Sequence, residues 1–215
     1  ACFGAQSGPV ESALIARNIA WVLGLVSGVG ILFAEEKPRN PALVEVTSEN
    51  VPGVVLEVRY GTERNITGKK IYSDGRAWLR QETIAKLARV SRELREKGYR
   101  LVLWDAWRPR YAQQALWAAK PDGRFLTPPT KVSRHTRGTS VDVSLADKDG
   151  KILEMPSDHD DFSKKADEDF SDVSKEVAKR ARILRRAMFA AGFSGVPDEW
   201  WHYDLRDWAD YQAME

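Results

Sequence analysis

Gly138 to Leu145 (GTSVDVSL) restricts the fold more than any other stretch, because it alternates strictly: Val141, Val143 and Leu145 point one way, Ser140, Asp142 and Ser144 the other. A period of two is that of a β-strand, with one face turned to a core and one to water. The chain therefore needs a sheet with an apolar layer against it. Two segments of helical period supply that layer. Ala77 to Lys97 carries Leu79, Ile84, Leu87, Ala88, Val90 and Leu94, with Gly98 as a stop; Val173 to Ala191 carries Val177, Ala181, Leu184, Met188 and Ala191, with Gly192 after it. Tyr111 to Ala119 reads as a third, shorter helix.

Further strands are predicted at Val54 to Tyr60 (VVLEVRY), at Arg100 to Asp105 (RLVLWD, buried) and at Trp200 to Leu205 (WWHYDL). Residues 38–50 read as linker, 61–68 as a glycine-bounded loop and 146–174 as an acidic, polar loop. Helices interleaved with few, short strands make an α+β domain. At 215 residues, 43% of them hydrophobic, the chain has material for one sizeable core and so for one folded domain.

The first 34 residues differ in kind. Ile19 to Ala34 (IAWVLGLVSGVGILFA) is an uncharged apolar run after Arg17, followed by Glu35-Glu36-Lys37-Pro38-Arg39. A positive flank, an apolar stretch and a small residue at the cut make the layout of a secretory signal, with Leu32 acceptable at the third position before it. The expected division is thus 1–34 as signal peptide or N-terminal anchor and 35–215 as the functional domain, in an exported, periplasmic or secreted protein. At about 16 residues the run is short of the roughly 20 that span a bilayer. An uncleaved membrane anchor is the alternative, and a core helix in a cytoplasmic protein is a third reading.

Thirty-three basic and 31 acidic residues leave a formal charge of +2, without the Lys/Arg stripe and interleaved aromatics that track a phosphate backbone. Nucleic acid is not an expected partner. With Cys2 as its one cysteine the chain can build neither a disulfide framework nor a cysteine cage, so any metal must be held by His and carboxylate.

Histidine occurs three times, as His135, His159 and His202. Gly138 permits a turn that would fold His135 back over the polar face that carries Asp142. Taken alone, this pair reads slightly better as a surface histidine and a salt-bridged aspartate. In Asp198-Glu199-Trp200-Trp201-His202-Tyr203 a carboxylate and an imidazole lie in an aromatic, water-poor stretch where unpaired charge is expensive. Two histidines and one carboxylate with an open fourth position are a ligand set for catalytic zinc, and Glu199 would then act as general base. That requires a bend at Pro197 to Glu199, because in a straight strand residues 199 and 202 face opposite sides. The alternatives are a rim carboxylate for Glu199 and a core imidazole for His202. Arg108, in Asp105-Ala106-Trp107-Arg108-Pro109, stands where a buried strand ends and could stabilise an oxyanion, or simply pair with Asp105.

Together these residues resemble the D-alanyl-D-alanine dipeptidases among the zinc D,D-peptidases. Ser133, His135, Gly138 and Asp142 match the family pattern Ser-x-His-x-x-Gly-x-x-x-Asp, and Glu199 to His202 match its Glu-Trp-Trp-His. Arg59-Tyr60, Asn65-Ile66-Thr67-Gly68 and Trp107-Arg108-Pro109 are similar too, with Trp107 where tyrosine is more usual, so the resemblance runs from about residue 44 to 208. It implies a small, mainly antiparallel sheet flanked by helices and one zinc ion per chain held by His135, Asp142 and His202. It further implies Glu199 as base, Arg108 as transition-state stabiliser and Ser133 as a substrate contact. The family's Met-Gly-Thr-Pro-Phe-Asp stretch, whose aspartate binds the substrate's amino group, corresponds to Met155-Pro156-Ser157-Asp158-His159-Asp160. That assigns the role to Asp160, with Asp158 and Asp161 as competitors, and leaves His159 as a pocket or surface residue rather than a ligand.

The implied reaction is hydrolysis of the D-alanyl-D-alanine dipeptide in cell-wall peptide turnover or resistance. The rivals are a D,D- or L,D-carboxypeptidase trimming peptidoglycan stem peptides and a non-catalytic zinc- or wall-binding module.

Overall fold

The computed structural model describes residues 42–214, so the apolar run at 19–34 and its expected cleavage site lie outside the described residues. The described chain is α+β, as the spacing of its apolar residues requires. Its central sheet uses β2 (Val55–Leu56), β4 (Tyr99–Asp105), β5 (Ser140–Asp147), β6 (Phe193–Val196) and β7 (Glu199–Leu205) in the order β2-β4-β5-β7-β6. Every neighbour pair is antiparallel except β2 with β4. A separate two-stranded ribbon pairs β1 (Leu43–Glu45) with β3 (Trp78–Arg80).

Among the described residues the helices are α1 (Gln81–Glu96), α2 (Arg110–Ala119) and α3 (Lys175–Ala190). Ile84, Leu87, Val90 and Leu94 on α1, with Ala181, Leu184, Ala187 and Met188 on α3, are buried in one core with Leu101 and Leu103 of β4 and Val141, Val143 and Leu145 of β5. The Ser174 hydroxyl caps α3 by accepting from the Val177 amide (3.2 Å).

Four expectations need correction. The helix predicted from Ala77 begins at Gln81, because Trp78 to Arg80 pair with residues 43–45 of the supposed linker, and Leu79 is a buried strand residue. This pairing joins segments far apart in sequence, which local periodicity does not register. The strand predicted over Val54 to Tyr60 shrinks to two residues, after which Arg59–Gly61 turn in a 3-10 helix. Strand β6, whose pairing with β7 shifts register between Gly195 and Val196, has no counterpart among the predicted strands. Finally, the polar face of β5 is not wet: Ser140 and Ser144 are fully buried and Asp142 is 2% exposed, with Asp204 against Ser140 and His135, His159 and His202 against Asp142.

Candidate active site

Strands β5 and β7 build the centre of the site. Asp142 and His202 are direct cross-strand partners, so their side chains emerge on the same face; Ser140 and Asp204 are the next such pair. The register of β4 against β5 slips between Leu103 and Asp105, and this irregularity sets Asp105 opposite Asp142. His135 arrives from a single 3-10 turn, His135–Arg137, that ends at Gly138 with φ +71°. A side chain at Gly138 would be strained by that conformation and would press within 2.8 Å of Leu43 and Met214, so the turn that returns His135 to the sheet depends on glycine.

The three donor atoms converge. His135 Nε2 and His202 Nδ1 are 3.1 Å apart, His202 Nδ1 lies 3.1 Å from Asp142 Oδ1, and His135 Nε2 lies 3.4 Å from the same oxygen. Tetrahedral zinc with bonds of about 2.0–2.1 Å sets its ligand atoms roughly 3.3 Å apart, so the spacing fits. The other ring nitrogens are committed elsewhere: His135 Nδ1 donates to the Ala106 carbonyl (2.7 Å) and His202 Nε2 to Asp204 Oδ1 (2.9 Å). Asp204 is itself held by Ser140 Oγ (2.6 Å) and Arg134 (2.6 Å). With those protons fixed outward, neutral imidazoles turn lone pairs inward, toward each other and toward a carboxylate. Such a cluster calls for a cation. The same demand appears in the protonation preferences: burial disfavours charge on His202, yet Asp204 and Asp142 hold its pKa well above the usual value. Burial would likewise raise Asp142, but His135 and the hydrogen bonds of His159 and of His202 in its protonated form hold it well below the carboxylate range.

Glu199 reaches this cluster, although it stands three residues from His202, because β6 and β7 are joined at Pro197–Asp198 with a register shift beside it. Its Oε2 is 3.9 Å from His202 Nδ1. Burial drives its pKa up to about 8, and Asp142 and Asp160 add to the rise against the opposing pull of His202. A divalent cation at the three donors would draw it back down.

Arg108 does pair with Asp105 (Nε to Oδ2, 2.8 Å), and it also donates to Gln113 (3.0 Å) and to Asp142 Oδ2 (3.3 Å). This fixes the guanidinium against the wall of a cavity of about 280 Å³. His135, Asp142, Glu199 and His202 line the same cavity, and so do Ser133 and Asp160. Asp160 is buried and receives the Tyr60 hydroxyl on both oxygens (3.2 and 3.0 Å). Of its competitors Asp158 is exposed and paired with Arg59 (2.6 Å), and neither it nor Asp161 lines the cavity.

His159 is neither a surface nor a cavity-lining residue. It is buried behind Asp142 and donates from Nε2 to Asp142 Oδ2 (3.0 Å). The contributions of Tyr60, Asp204 and the segment 123–131, which forms one wall of the cavity, were also missed from sequence. Asp204 stands two residues after His202 on β7 and so on the same face, a signal present in the sequence; the 123–131 segment has no period and no motif.

The architecture and the site correspond to a known group of proteins. A D-ala-D-ala dipeptidase family, peptidase M15, matches over residues 42–214. The chain is 35% identical to the D-alanyl-D-alanine dipeptidase of Escherichia coli K12 over 163 residues, covering 76% of this chain and 84% of that protein. It is 31% identical to the enzyme of that name from Streptomyces coelicolor and 30% identical to that of Enterococcus faecium, each alignment covering 74% of this chain and 89% of the relative. With a family match that spans the whole described domain, the chain belongs to the peptidase M15 family of D-Ala-D-Ala dipeptidases.

Proposed function

We propose that this protein is a zinc dipeptidase that hydrolyses D-alanyl-D-alanine to free D-alanine, with His135, Asp142 and His202 as the zinc ligands. The observation that carries the reading is the convergence of three electron-pair donors at 3.1–3.4 Å, each backed from behind, beside a carboxylate that can exchange a proton near neutral pH. When bound, zinc supplies Lewis acidity, which polarises a carbonyl and makes water nucleophilic near neutral pH.

The residues of the chain do the rest. Glu199 takes a proton from the attacking water and returns it to the leaving amine. Arg108, held by Asp105 and Gln113, presents fixed positive charge to the oxyanion as the amide carbon becomes tetrahedral. Asp160, oriented by Tyr60, receives the free ammonium of the dipeptide, and Ser133 helps hold the other half. Lys131, which lines the same cavity, brings positive charge toward the substrate carboxylate. A cavity of about 280 Å³ with a carboxylate set for the amine favours a free dipeptide over a stem peptide, whose chain would continue where Asp160 stands. Incubation with D-alanyl-D-alanine and with a stem pentapeptide is the test: the dipeptide is cleaved, and cleavage of the pentapeptide alone would overturn the reading in favour of a carboxypeptidase.

The apolar run at 19–34 supports an exported enzyme that acts on cell-wall fragments. The mature protein recovered from the periplasmic or secreted fraction then begins at Glu35; a chain retaining residues 1–34 in the membrane fraction would favour the anchor.

A further inference from the structure

His159 has no part in the donor set, yet its ring is built into the site. It lies among Tyr60, Trp104 and Trp201, with ring centroids at 5.3, 5.5 and 6.0 Å. Its side chain is 1% exposed. Burying an imidazole in an aromatic cage is costly unless its nitrogens have work to do. Nε2 is 3.0 Å from Asp142 Oδ2, a carboxylate oxygen that can only accept, so Nε2 carries the proton. Nδ1 has no hydrogen-bond partner and lies 3.6 Å from Asp160 Oδ2. The backbone reinforces this placement: Asp160, the next residue, is held at φ +58°, a region that non-glycine residues seldom occupy.

The two oxygens of Asp142 are thereby divided. Oδ1 faces His135 and His202, while Oδ2 is held by His159 and, at 3.3 Å, by Arg108. A carboxylate free to rotate could offer either oxygen, or both, to a cation; one clamped through Oδ2 offers Oδ1. Arg108 alone does not make the clamp, because its guanidinium is shared with Asp105 and Gln113.

We propose that His159 is a positioning residue that fixes the orientation of Asp142 as a single-oxygen metal ligand, and that through its place in the chain it ties the metal centre to Asp160. The proposal rests on the metal-site reading above. It predicts a specific dependence on Nε2 rather than on the ring. His159→Phe keeps an aromatic ring in the cage and deletes the donor. His159→Gln restores an N–H at about the reach of Nε2, whereas His159→Asn offers one only near Nδ1.

The experiment is zinc affinity by competition with a chelator, measured on the folded full chain, with kcat and KM for the dipeptide at saturating zinc alongside. The Phe and Asn variants should bind zinc about 10–100-fold more weakly than the parent, as losses behind a metal ligand do, while Gln stays near the parent. At saturating zinc most of the kcat returns. Equal affinity in the parent and the Phe variant, or a Gln variant no tighter than Asn, would overturn the proposal. If the Phe variant does not fold, the Gln-against-Asn comparison decides in the same terms. A parent that binds no zinc overturns the metal-site reading itself, an outcome distinct from a parent that binds zinc with no dependence on residue 159.

Discussion

The cavity has two unlike walls. On one side Asp142, Glu199 and His202 stand on β5 and β7, where ladder pairing fixes each Cα; Asp204, itself held by Ser140, fixes His202, and His159 with Arg108 fixes Asp142. On the other side Asp160 and residues 123–133 sit on irregular segments, held by point contacts such as the Tyr60–Asp160 hydrogen bonds and the Phe125–Phe162 stack, with centroids 4.2 Å apart. The two walls are built for different tasks. On the proposed mechanism the bond-breaking groups, which need sub-ångström placement, stand on the sheet or, as Arg108 does through Asp105 and Asp142, are pinned to it, while groups that choose the substrate ride on loops, which accept change.

If that division holds, substitutions on the sheet wall strike kcat and those on the loop wall strike KM. The largest effect is expected for Glu199→Gln, which leaves zinc bound and lowers kcat by about 10²–10⁴-fold; metal content and steady-state rates together check it. Arg108→Lys keeps a charge but loses the fork that spans Asp105, Gln113 and Asp142, and kcat should fall about 10²–10³-fold with little change in KM. Asp160→Asn crosses to the loop wall. It removes a charged partner for the ammonium, so KM should rise roughly 10–100-fold while kcat changes far less; a kcat loss as large as that of Glu199→Gln would break the division. The smallest effect belongs to Phe125→Ala, which loses a stack worth about 0.5–1.5 kcal/mol between two cavity-lining segments. KM should rise by at most about tenfold, with zinc affinity unchanged.

The same contrast explains what could be read from sequence. The strands that carry the donors were legible because burial of one face imposes a period: Asp142 stands among valines at alternate positions, and His202 lies within an aromatic run. Helices α1 and α3 were legible for the same reason. The ribbon of β1 and β3 was not, since neither strand has a partner nearby in sequence. Alternation marks the polar face of β5 as wet because it reports which residues are polar; it cannot report that His135, His159 and His202 come to cover Asp142. His159 shows this most clearly. Seventeen residues after Asp142 in the chain, in a loop without period, it has no local signature of the contact it makes. Asp160 could be placed by spacing, yet what orients it, the Tyr60 hydroxyl, comes from 100 residues earlier.

The central claim is that His135, Asp142 and His202 hold one zinc ion that the dipeptidase reaction requires. Zinc titrated into chelator-stripped protein, with bound metal and D-alanyl-D-alanine hydrolysis followed together, tests it directly. The account predicts that activity is absent in the stripped protein, returns in proportion to bound zinc and saturates at one ion per chain, and that His202→Ala abolishes both tight binding and the return. Full hydrolysis by the stripped protein, or undiminished zinc binding in the His202→Ala variant, would contradict it.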